Sequence, residues 1–269
     1  MESPFLNPVL SEELPGHAGV RLLTLYSRAL RRRGDVTLCL PPGSRDRAMP
    51  LLLLLHGVRG SHWNWWALGG LPEIAAQMIA NGEMEPMAIA MPSDGLWSDG
   101  SGYLRHKSFD AEAWIMEDVP ACVHSLMPQV RVDRLSLAGL SMGGYGALRV
   151  GAKYAERVAS IAAHSAVTSL DDLQRFVQDP IGKDLGAGKR DADLLYWMRK
   201  HRAQLPPIRF DCGTEDSLLE SNRALHEALR KARIAHVYEE HPGGHDWDYW
   251  RTHVRSTLRF ASKALGGRA

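Results

Sequence analysis

The hydrophobic positions of this chain fall into short apolar runs separated by longer stretches of helical period. Residues 51–55 are five consecutive leucines, and residues 87–91 form a second apolar run. Runs without polar alternation are typical of strands that are buried on both faces of a parallel sheet. Five residues are also far too few to span a bilayer. Both runs are therefore predicted to be central strands of a core sheet.

Further along the chain, strands and helices are predicted to alternate. Two opening strands joined by a basic turn predict an antiparallel hairpin, whereas residues 1–18 are Pro-rich and are expected to be a loosely held lead-in. The predicted strands after the leucine run cover residues 87–91, 135–138, 158–163, 208–212 and 235–240. The predicted helices cover residues 71–80, 111–126 with an interruption at Pro120, 191–202, 217–231 and 248–265. This order predicts an α/β fold with a mostly parallel sheet, an antiparallel hairpin at its start and helices on both faces.

Two segments depart from the strand and helix rhythm. The loop over residues 92–107 is longer than a simple connection needs and contains three glycines, which indicates a functional loop. Residues 165–205 are interpreted as a small insertion that could cover a site as a lid. We expect residues 1–269 to form one domain that carries this insertion.

The composition of the chain limits the classes of function that the protein is expected to have. A net charge of +1, from 32 basic and 31 acidic residues, gives no electrostatic case for binding nucleic acid or an anionic membrane. Three scattered cysteines and the lack of a secretory signal pattern at the N-terminus favour a cytoplasmic protein. No spacing of His, Cys and Asp suggests a metal site, and we expect no cofactor. The sequence leaves both a monomer and a homo-oligomer open.

The segment Gly139-Leu140-Ser141-Met142-Gly143 follows a short apolar strand and precedes a helical stretch. Gly-x-Ser-x-Gly in this setting is the pattern of a nucleophile elbow, in which a sharp turn presents the serine at its tip. Ser141 is therefore the candidate nucleophile.

A serine hydroxyl needs a neighbouring base, and that base needs an acid to orient it. Asp216 and His245 follow Ser141 in the order that α/β-hydrolases use, each in a loop after a predicted strand. Asp211 is the competing acid, although it lies inside a strand pattern. Two further acidic residues, Asp246 and Asp248, are interpreted as the start of the last helix. Two other histidines, His164 and His241, are interpreted as structural residues.

An acyl-transfer site also needs N–H donors for the oxyanion that develops in the transition state. We expect these donors to be the backbone amides of Met142, directly after Ser141, and of Val58 in the loop after the leucine run. His56 in that loop is expected to shape it. Candidates for lining the substrate pocket are the aromatic and basic loop residues Arg59, Trp65, Trp66, Trp97 and Tyr103. The alternative is packing for the aromatic residues and a solvated loop position for Arg59.

Five segments give the chain a family resemblance. They read LLLLLHGVRGSHWNWW, MPSDGLWSDGSGYL, LSLAGLSMGGYGALRVG, FDCGTEDSLLESNRALHEAL and YEEHPGGHDWDYW. Together they resemble esterases of the esterase D type, an α/β-hydrolase family that includes S-formylglutathione hydrolases, feruloyl and acetyl xylan esterases, tributyrin-type esterases and mycolyltransferases. The resemblance covers about residues 35–260 and places the family's nucleophile, acid and base on Ser141, Asp216 and His245, with the second oxyanion donor on Val58.

The residues and the resemblance together predict a serine carboxylic-ester hydrolase that acts on small acyl or aryl esters through an acyl-enzyme. Its partner would be a small-molecule ester. The alternatives are an acyltransferase with the same triad, a thioesterase of the S-formylglutathione type, and a non-catalytic binding protein on the same fold. The chain lacks the Cys-rich early loop expected of a formylglutathione hydrolase, which ranks that alternative lower.

Overall fold

The apolar runs form the strands of one sheet in the computed structural model, which describes residues 3–41 and 47–266. The nine strands of that sheet within these ranges are β1 (Phe5–Leu10), β2 (Val20–Ser27), β3 (Arg32–Cys39), β4 (Met49–Leu55), β5 (Ala88–Pro92), β6 (Val130–Leu140), β7 (Val158–His164), β8 (Ile208–Gly213) and β9 (Val237–His241). Their spatial order is β1-β2-β3-β5-β4-β6-β7-β8-β9. From β5 to β9 in this spatial order, all neighbouring strands pair in parallel. The pairs β1–β2, β2–β3 and β3–β5 are antiparallel.

Helices cover both faces of this sheet. Their bounds are α1 (Leu71–Ala80), α2 (Ala111–Ala113), α3 (Val119–Leu126), α4 (Met142–Lys153), α5 (Leu170–Gln174), α6 (Leu194–Lys200), α7 (Leu219–Lys231) and α8 (Trp247–Gly266). Helices α1 and α8 pack on one face, while α3, α4 and α7 contribute to the larger cluster on the other. The predicted α/β-hydrolase fold, with its antiparallel opening hairpin, is confirmed.

The leucine run shows why the sheet needs helices on both sides. Leu51, Leu53 and Leu55 belong to one apolar cluster, and Leu52 and Leu54 belong to the other. Side chains alternate between the faces of a strand, so an all-apolar strand is stable only where both faces are covered. Strand β4 lies between β5 and β6 in the sheet, as its composition predicts.

The expectation of a loosely held lead-in was wrong for the described part of that segment. Strand β1 pairs with β2, with Phe5 opposite Ser27, and forms an edge of the sheet. Pro8 is tolerated because an edge strand needs only one side of its backbone for pairing. The register shifts between Leu6 and Val9, and Asn7 there has a φ of 48°.

The predicted interruption of the helix over residues 111–126 is confirmed. A π-helical turn, Trp114–Asp118, separates α2 from α3. Pro120 lies in the first turn of α3, where its missing N–H leaves no helical hydrogen bond unmade. The insertion between β7 and β8 contains α5 and α6.

Candidate active site

Ser141 occupies the turn between β6 and α4. Its backbone has φ 52° and ψ −119°, a combination that a non-glycine residue adopts only where the surrounding structure imposes it. The two flanking glycines permit the close approach: a Cβ on Gly139 would meet the carbonyl of Gly143, and a Cβ on Gly143 would meet the carbonyl of Leu55. The sequence pattern therefore has the strained strand-to-helix turn of a nucleophile elbow.

The three residues selected from the sequence lie in one hydrogen-bonded row. His245 Nε2 is 3.0 Å from Ser141 Oγ, and His245 Nδ1 is 2.8 Å from Asp216 Oδ2. An ionised carboxylate only accepts hydrogen bonds, so Nδ1 carries the proton and Nε2 is free to accept the serine proton. The row crosses the carboxyl ends of β6, β8 and β9, which is where loops of a parallel sheet converge.

Asp216 is fixed independently of the histidine. Its Oδ1 accepts a 2.8 Å hydrogen bond from the Leu218 amide, and the Ser165 hydroxyl also bonds to the carboxylate. Burial raises the pKa of Asp216, but the hydrogen bond and charge of His245 and the other donors outweigh it and hold the pKa below its ordinary value of 3.8. Asp216 is thus an ionised, immobile partner for the imidazole.

Two aromatic side chains hold the His245 ring. Phe176 of the insertion stacks on it with 5.9 Å between centroids and 12° between planes. Trp250 of α8 meets it edge-on at 5.0 Å, and the indole N–H of Trp250 donates to Ser165 Oγ at 3.3 Å. The Phe176 contact has no signal in the sequence, because one phenylalanine inside an insertion forms no motif. Trp250 is 6 % exposed, which is typical of a packing residue.

The two predicted oxyanion donors follow the ends of neighbouring strands. Met142 is the first residue of α4, directly after Ser141. Val58 follows Gly57, where a Cβ would lie 3.2 Å from Ser141 Cβ and 3.7 Å from Ser141 Oγ. The loop after β4 therefore lies against the serine, and the roles of Val58 and Met142 as oxyanion donors remain predictions.

The prediction that Trp65 and Tyr103 line the substrate pocket was wrong. Trp65 is 1 % exposed, and its indole N–H donates to the Leu55 carbonyl at 3.0 Å. Tyr103 is fully buried, and its hydroxyl bonds to the amide and the carbonyl of His56 at 3.1 and 3.2 Å. Each ring packs in the core while its polar end anchors the backbone near the end of β4, so neither can touch a substrate.

The other three predicted pocket residues are at least partly exposed. Trp66 packs edge-on against His17, and Trp97 packs against His106 at 4.6 Å. Arg59 donates from Nε to Asp99 Oδ1 and from Nη2 to the Phe176 carbonyl, both at 3.3 Å. Arg59 therefore links three loops, and substrate contact by these residues remains a prediction.

The competing acid belongs to a separate network. Asp211 is fully buried and bonds to His164 Nδ1 at 2.8 Å, to the Tyr249 hydroxyl at 2.9 Å and to Arg209 at 3.0 Å. Asp211 is thus engaged by His164, Tyr249 and Arg209, whereas the carboxylate that bonds to His245 is Asp216. Asp246 accepts the Tyr249 amide at 3.0 Å near the start of α8, as a helix-start residue would.

Neither a metal cluster nor a membrane span is found in the described ranges. In residues 3–41 and 47–266 no three His, Cys, Asp or Glu side chains are grouped to hold a metal ion. In the same residues, no helix combines the length and the hydrophobicity that crossing a bilayer requires.

The geometry so far describes a serine hydrolase site on an α/β-hydrolase sheet. The family model described as "Putative esterase" matches residues 27–260, which is most of the chain. The chain belongs to this esterase family.

Individual relatives agree with the family. An acetyl esterase of Caldicellulosiruptor saccharolyticus is 27 % identical over 270 residues, covering 90 % of this chain and 97 % of that protein. The S-formylglutathione hydrolase of Paracoccus denitrificans is 22 % identical over 245 residues, covering 84 % of this chain and 87 % of the relative. Among solved structures, the fluorophosphonate-binding serine hydrolase FphF of Staphylococcus aureus superposes with a TM-score of 0.77 at 21 % identity, covering 97 % and 99 % of the two chains. The protein is a serine ester hydrolase, as the sequence predicted.

Proposed function

We propose that Ser141, His245 and Asp216 are the catalytic triad of a cytoplasmic esterase that cleaves short-chain acyl or aryl esters through an acyl-enzyme. The observation that carries this proposal is the continuous row of hydrogen bonds at 3.0 and 2.8 Å from serine to histidine to aspartate. The strained φ of 52° at Ser141 supports it, because such strain is typical of a nucleophile held at the tip of an elbow.

In the first half-reaction, Ser141 Oγ attacks the ester carbonyl carbon while its proton moves to His245 Nε2. The carbonyl oxygen becomes an oxyanion that accepts hydrogen bonds from the Met142 and Val58 amides. The carbon–oxygen bond to the alcohol then breaks, and the imidazolium gives its proton to the departing oxygen. Asp216 stabilises the imidazolium and keeps Nδ1 protonated throughout.

In the second half-reaction, water replaces the alcohol. His245 Nε2 takes a proton from the water as its oxygen attacks the acyl carbon, and the same two amides hold the second oxyanion. Collapse breaks the bond to Ser141 Oγ, which recovers its proton from His245. The products are the free carboxylic acid and the starting enzyme.

The named relatives favour a short acyl group, because the relative that matches 90 % of the chain is an acetyl esterase. We further propose that residues 1–269 act as one domain whose insertion, residues 165–205, bounds the acyl or alcohol side of the site. The stacking of Phe176 from this insertion on His245 supports that role. Three buried, unpaired cysteines support a reducing, cytoplasmic location.

Replacing the nucleophile tests the proposal. Ser141→Ala should lower kcat for phenyl acetate by about 10⁴-fold or more, because an alanine side chain has no oxygen that could form the acyl-enzyme. The matched control is Ser160→Ala, which removes a buried hydroxyl that bonds to Ser136 in the neighbouring strand and should leave kcat nearly unchanged. Activity of Ser141→Ala within about tenfold of wild type would refute the proposal. A series of phenyl esters from acetyl to octanoyl then measures the acyl preference.

A further inference from the structure

His56 is a buried histidine that the proposed reaction does not use directly. It follows the last residue of β4, is 2 % exposed, and lies two residues before Val58. Its Nδ1 is 2.7 Å from the carbonyl oxygen of Gly57. A carbonyl oxygen can only accept a hydrogen bond, so Nδ1 must carry the proton and donate. The side chain thus bonds to the backbone of the loop after β4 that carries Gly57 and Val58, which we call the oxyanion loop.

That hydrogen bond fixes the direction of the proposed donor. The Gly57 carbonyl and the Val58 N–H belong to one planar trans peptide, in which the C=O and the N–H point to opposite sides. Holding the carbonyl toward His56 therefore turns the Val58 N–H away from His56. The nucleophile adjoins this same peptide, since a Cβ on Gly57 would be 3.2 Å from Ser141 Cβ.

The surrounding loop is built closely around this arrangement. The Gly60 amide donates to the same Gly57 carbonyl at 3.2 Å, and a Cβ on Gly60 would come within 2.7 Å of His56 Nδ1. Arg59 has a φ of 56°, and its amide donates to the Asp99 carbonyl at 2.6 Å. A glycine at position 60 and a strained Arg59 make room for the imidazole beside the peptide.

The far side of the ring faces a second loop. His56 Nε2 is 3.9 Å from Asp94 Oδ1, and within the described residues it has no hydrogen-bond partner. The Asp94 carboxylate is held by the amides of Leu96 at 3.0 Å and Ser101 at 2.7 Å. Burial lowers the pKa of His56 below its ordinary value, although the Asp94 charge and the Gly57 carbonyl oppose this, so the neutral ring with a proton on Nδ1 is favoured.

We propose that His56 is a positioning residue of the oxyanion hole, whose Nδ1–H locks the Gly57–Val58 peptide so that the Val58 N–H faces the oxygen of the tetrahedral intermediate. The inference rests on the proposed function, because it assigns Val58 as a donor. A donor that is aimed in advance costs no reorganisation when the oxyanion forms, which is the basis of oxyanion stabilisation. Releasing the peptide should thus weaken transition-state binding and leave ground-state binding of the ester almost unchanged.

Three variants separate positioning from simple packing. His56→Leu keeps a side chain of similar bulk without a donor, whereas His56→Asn places an amide N–H near the position of Nδ1. His106→Leu is the matched control, since His106 is also 2 % exposed and bonds through Nε2 to the Ser101 carbonyl at 2.8 Å, outside the oxyanion loop. Each is assayed for kcat and KM with phenyl acetate and for Ki with phenyl trifluoromethyl ketone, which forms a tetrahedral adduct on the serine.

The expected result is selective. His56→Leu should lower kcat by about 10²-fold, approaching the loss of one oxyanion donor, with KM changed less than about threefold. Its Ki for the ketone should rise by about the same factor as kcat/KM falls, because the ketone adduct carries the same oxyanion. His56→Asn should recover most of the lost kcat, and His106→Leu should keep kcat even if its melting temperature falls.

Other results would overturn the inference. Normal kcat in a folded His56→Leu, or an equal loss of kcat in His56→Leu and His56→Asn, would show that the Nδ1 hydrogen bond does not position the donor. If His56→Leu does not fold, His56→Gln replaces it, because the glutamine amide extends past the position of Nδ1. Equal kcat values for His56→Gln and His56→Asn would then overturn the inference. Ser141→Ala distinguishes the two proposals: if it stays active the triad itself is wrong, and if it is inactive only the role of His56 is in question.

Discussion

Left-handed backbone conformations in non-glycine residues collect around Ser141. Such residues cost about 1–3 kcal/mol each and persist only where neighbouring contacts determine them. Six of them lie at or after the carboxyl ends of β4 to β7: Arg59, Leu96, Ser98, Tyr103, Ser141 and Ser165. Ser165 illustrates the compensation, because its amide donates to the Asp211 carbonyl at 2.8 Å while its hydroxyl reaches the Asp216 carboxylate. The strain is thus held where the side chains of the site need fixed directions.

At this scale the acid of the triad gives a direct prediction. Asp216→Asn should lower kcat by about 10⁴-fold with little change in KM, because an amide can donate to His245 Nδ1 and hold the wrong tautomer. The matched control is Asp211→Asn, which removes the other buried carboxylate that bonds to a histidine, His164, at 2.8 Å. That variant should lose stability and keep kcat within about tenfold. The opposite pattern in the two kcat values would make Asp211 the acid.

The lowered pKa of Asp216 also sets the sign of a pH effect. A carboxyl group whose pKa is lower in the folded protein stabilises the fold above its ordinary pKa of 3.8, and this contribution is lost as the pH falls through the lowered value. The free energy of unfolding should therefore fall less between neutral and acidic pH in the Asp216→Asn variant than in wild type, as measured by denaturant unfolding at both pH values.

At the scale of elements, the insertion is fixed at both of its ends. Near β8, Asp191 pairs with the fully buried Arg149 of α4 at 3.2 Å and with Lys153 at 2.6 Å. Near β7, Asp99 of the long loop accepts the Gln178 amide at 2.9 Å and pairs with Arg59 at 3.3 Å. The first contact is buried and the second is exposed. We therefore expect the end that carries Phe176 to need the smaller change in free energy for its release.

The exposed contact yields a prediction about the insertion. Asp99→Ala removes the acceptor for Arg59 Nε and the Gln178 amide, so Phe176 should leave His245 more often, and kcat/KM should fall about fivefold, as expected for losing an exposed hydrogen bond. Limited proteolysis should also cut residues 165–205 faster. The control is Asp171→Ala, an exposed aspartate of the same insertion. Equal kcat/KM and equal cleavage in wild type and Asp99→Ala would show that this contact does not hold Phe176.

At the scale of the whole molecule, the parallel strands bring the residues of the candidate site together. The strands β4, β6, β8 and β9 end on the same edge, so residues as distant as Ser141 and His245 meet within 3.0 Å. This explains why the hydrogen-bonded row of Ser141, His245 and Asp216 could be expected from sequence: each residue follows a recognisable strand, and their order matches the family pattern. The leucine run was equally predictable, since both of its faces had to be covered.

The remainder needed contacts that no local pattern encodes. Trp65 and Tyr103 read as pocket residues because they lie in loops, yet their polar groups bond to the backbone of Leu55 and His56 inside the core. Strand β1 escaped notice because Pro8 argues against a strand, although an edge position tolerates it. Phe176 reaches His245 through a fold of the insertion that helical periodicity does not determine.

The central claim is that Ser141 is the nucleophile, and covalent labelling tests it most directly. The native protein is treated with a fluorophosphonate, and the modified peptide is identified by mass spectrometry. Attack by Ser141 Oγ forms a bond to phosphorus and expels fluoride, so one adduct on Ser141, parallel loss of esterase activity and protection by phenyl acetate are predicted. An adduct on a different serine, or complete loss of activity without modification of Ser141, would contradict the account.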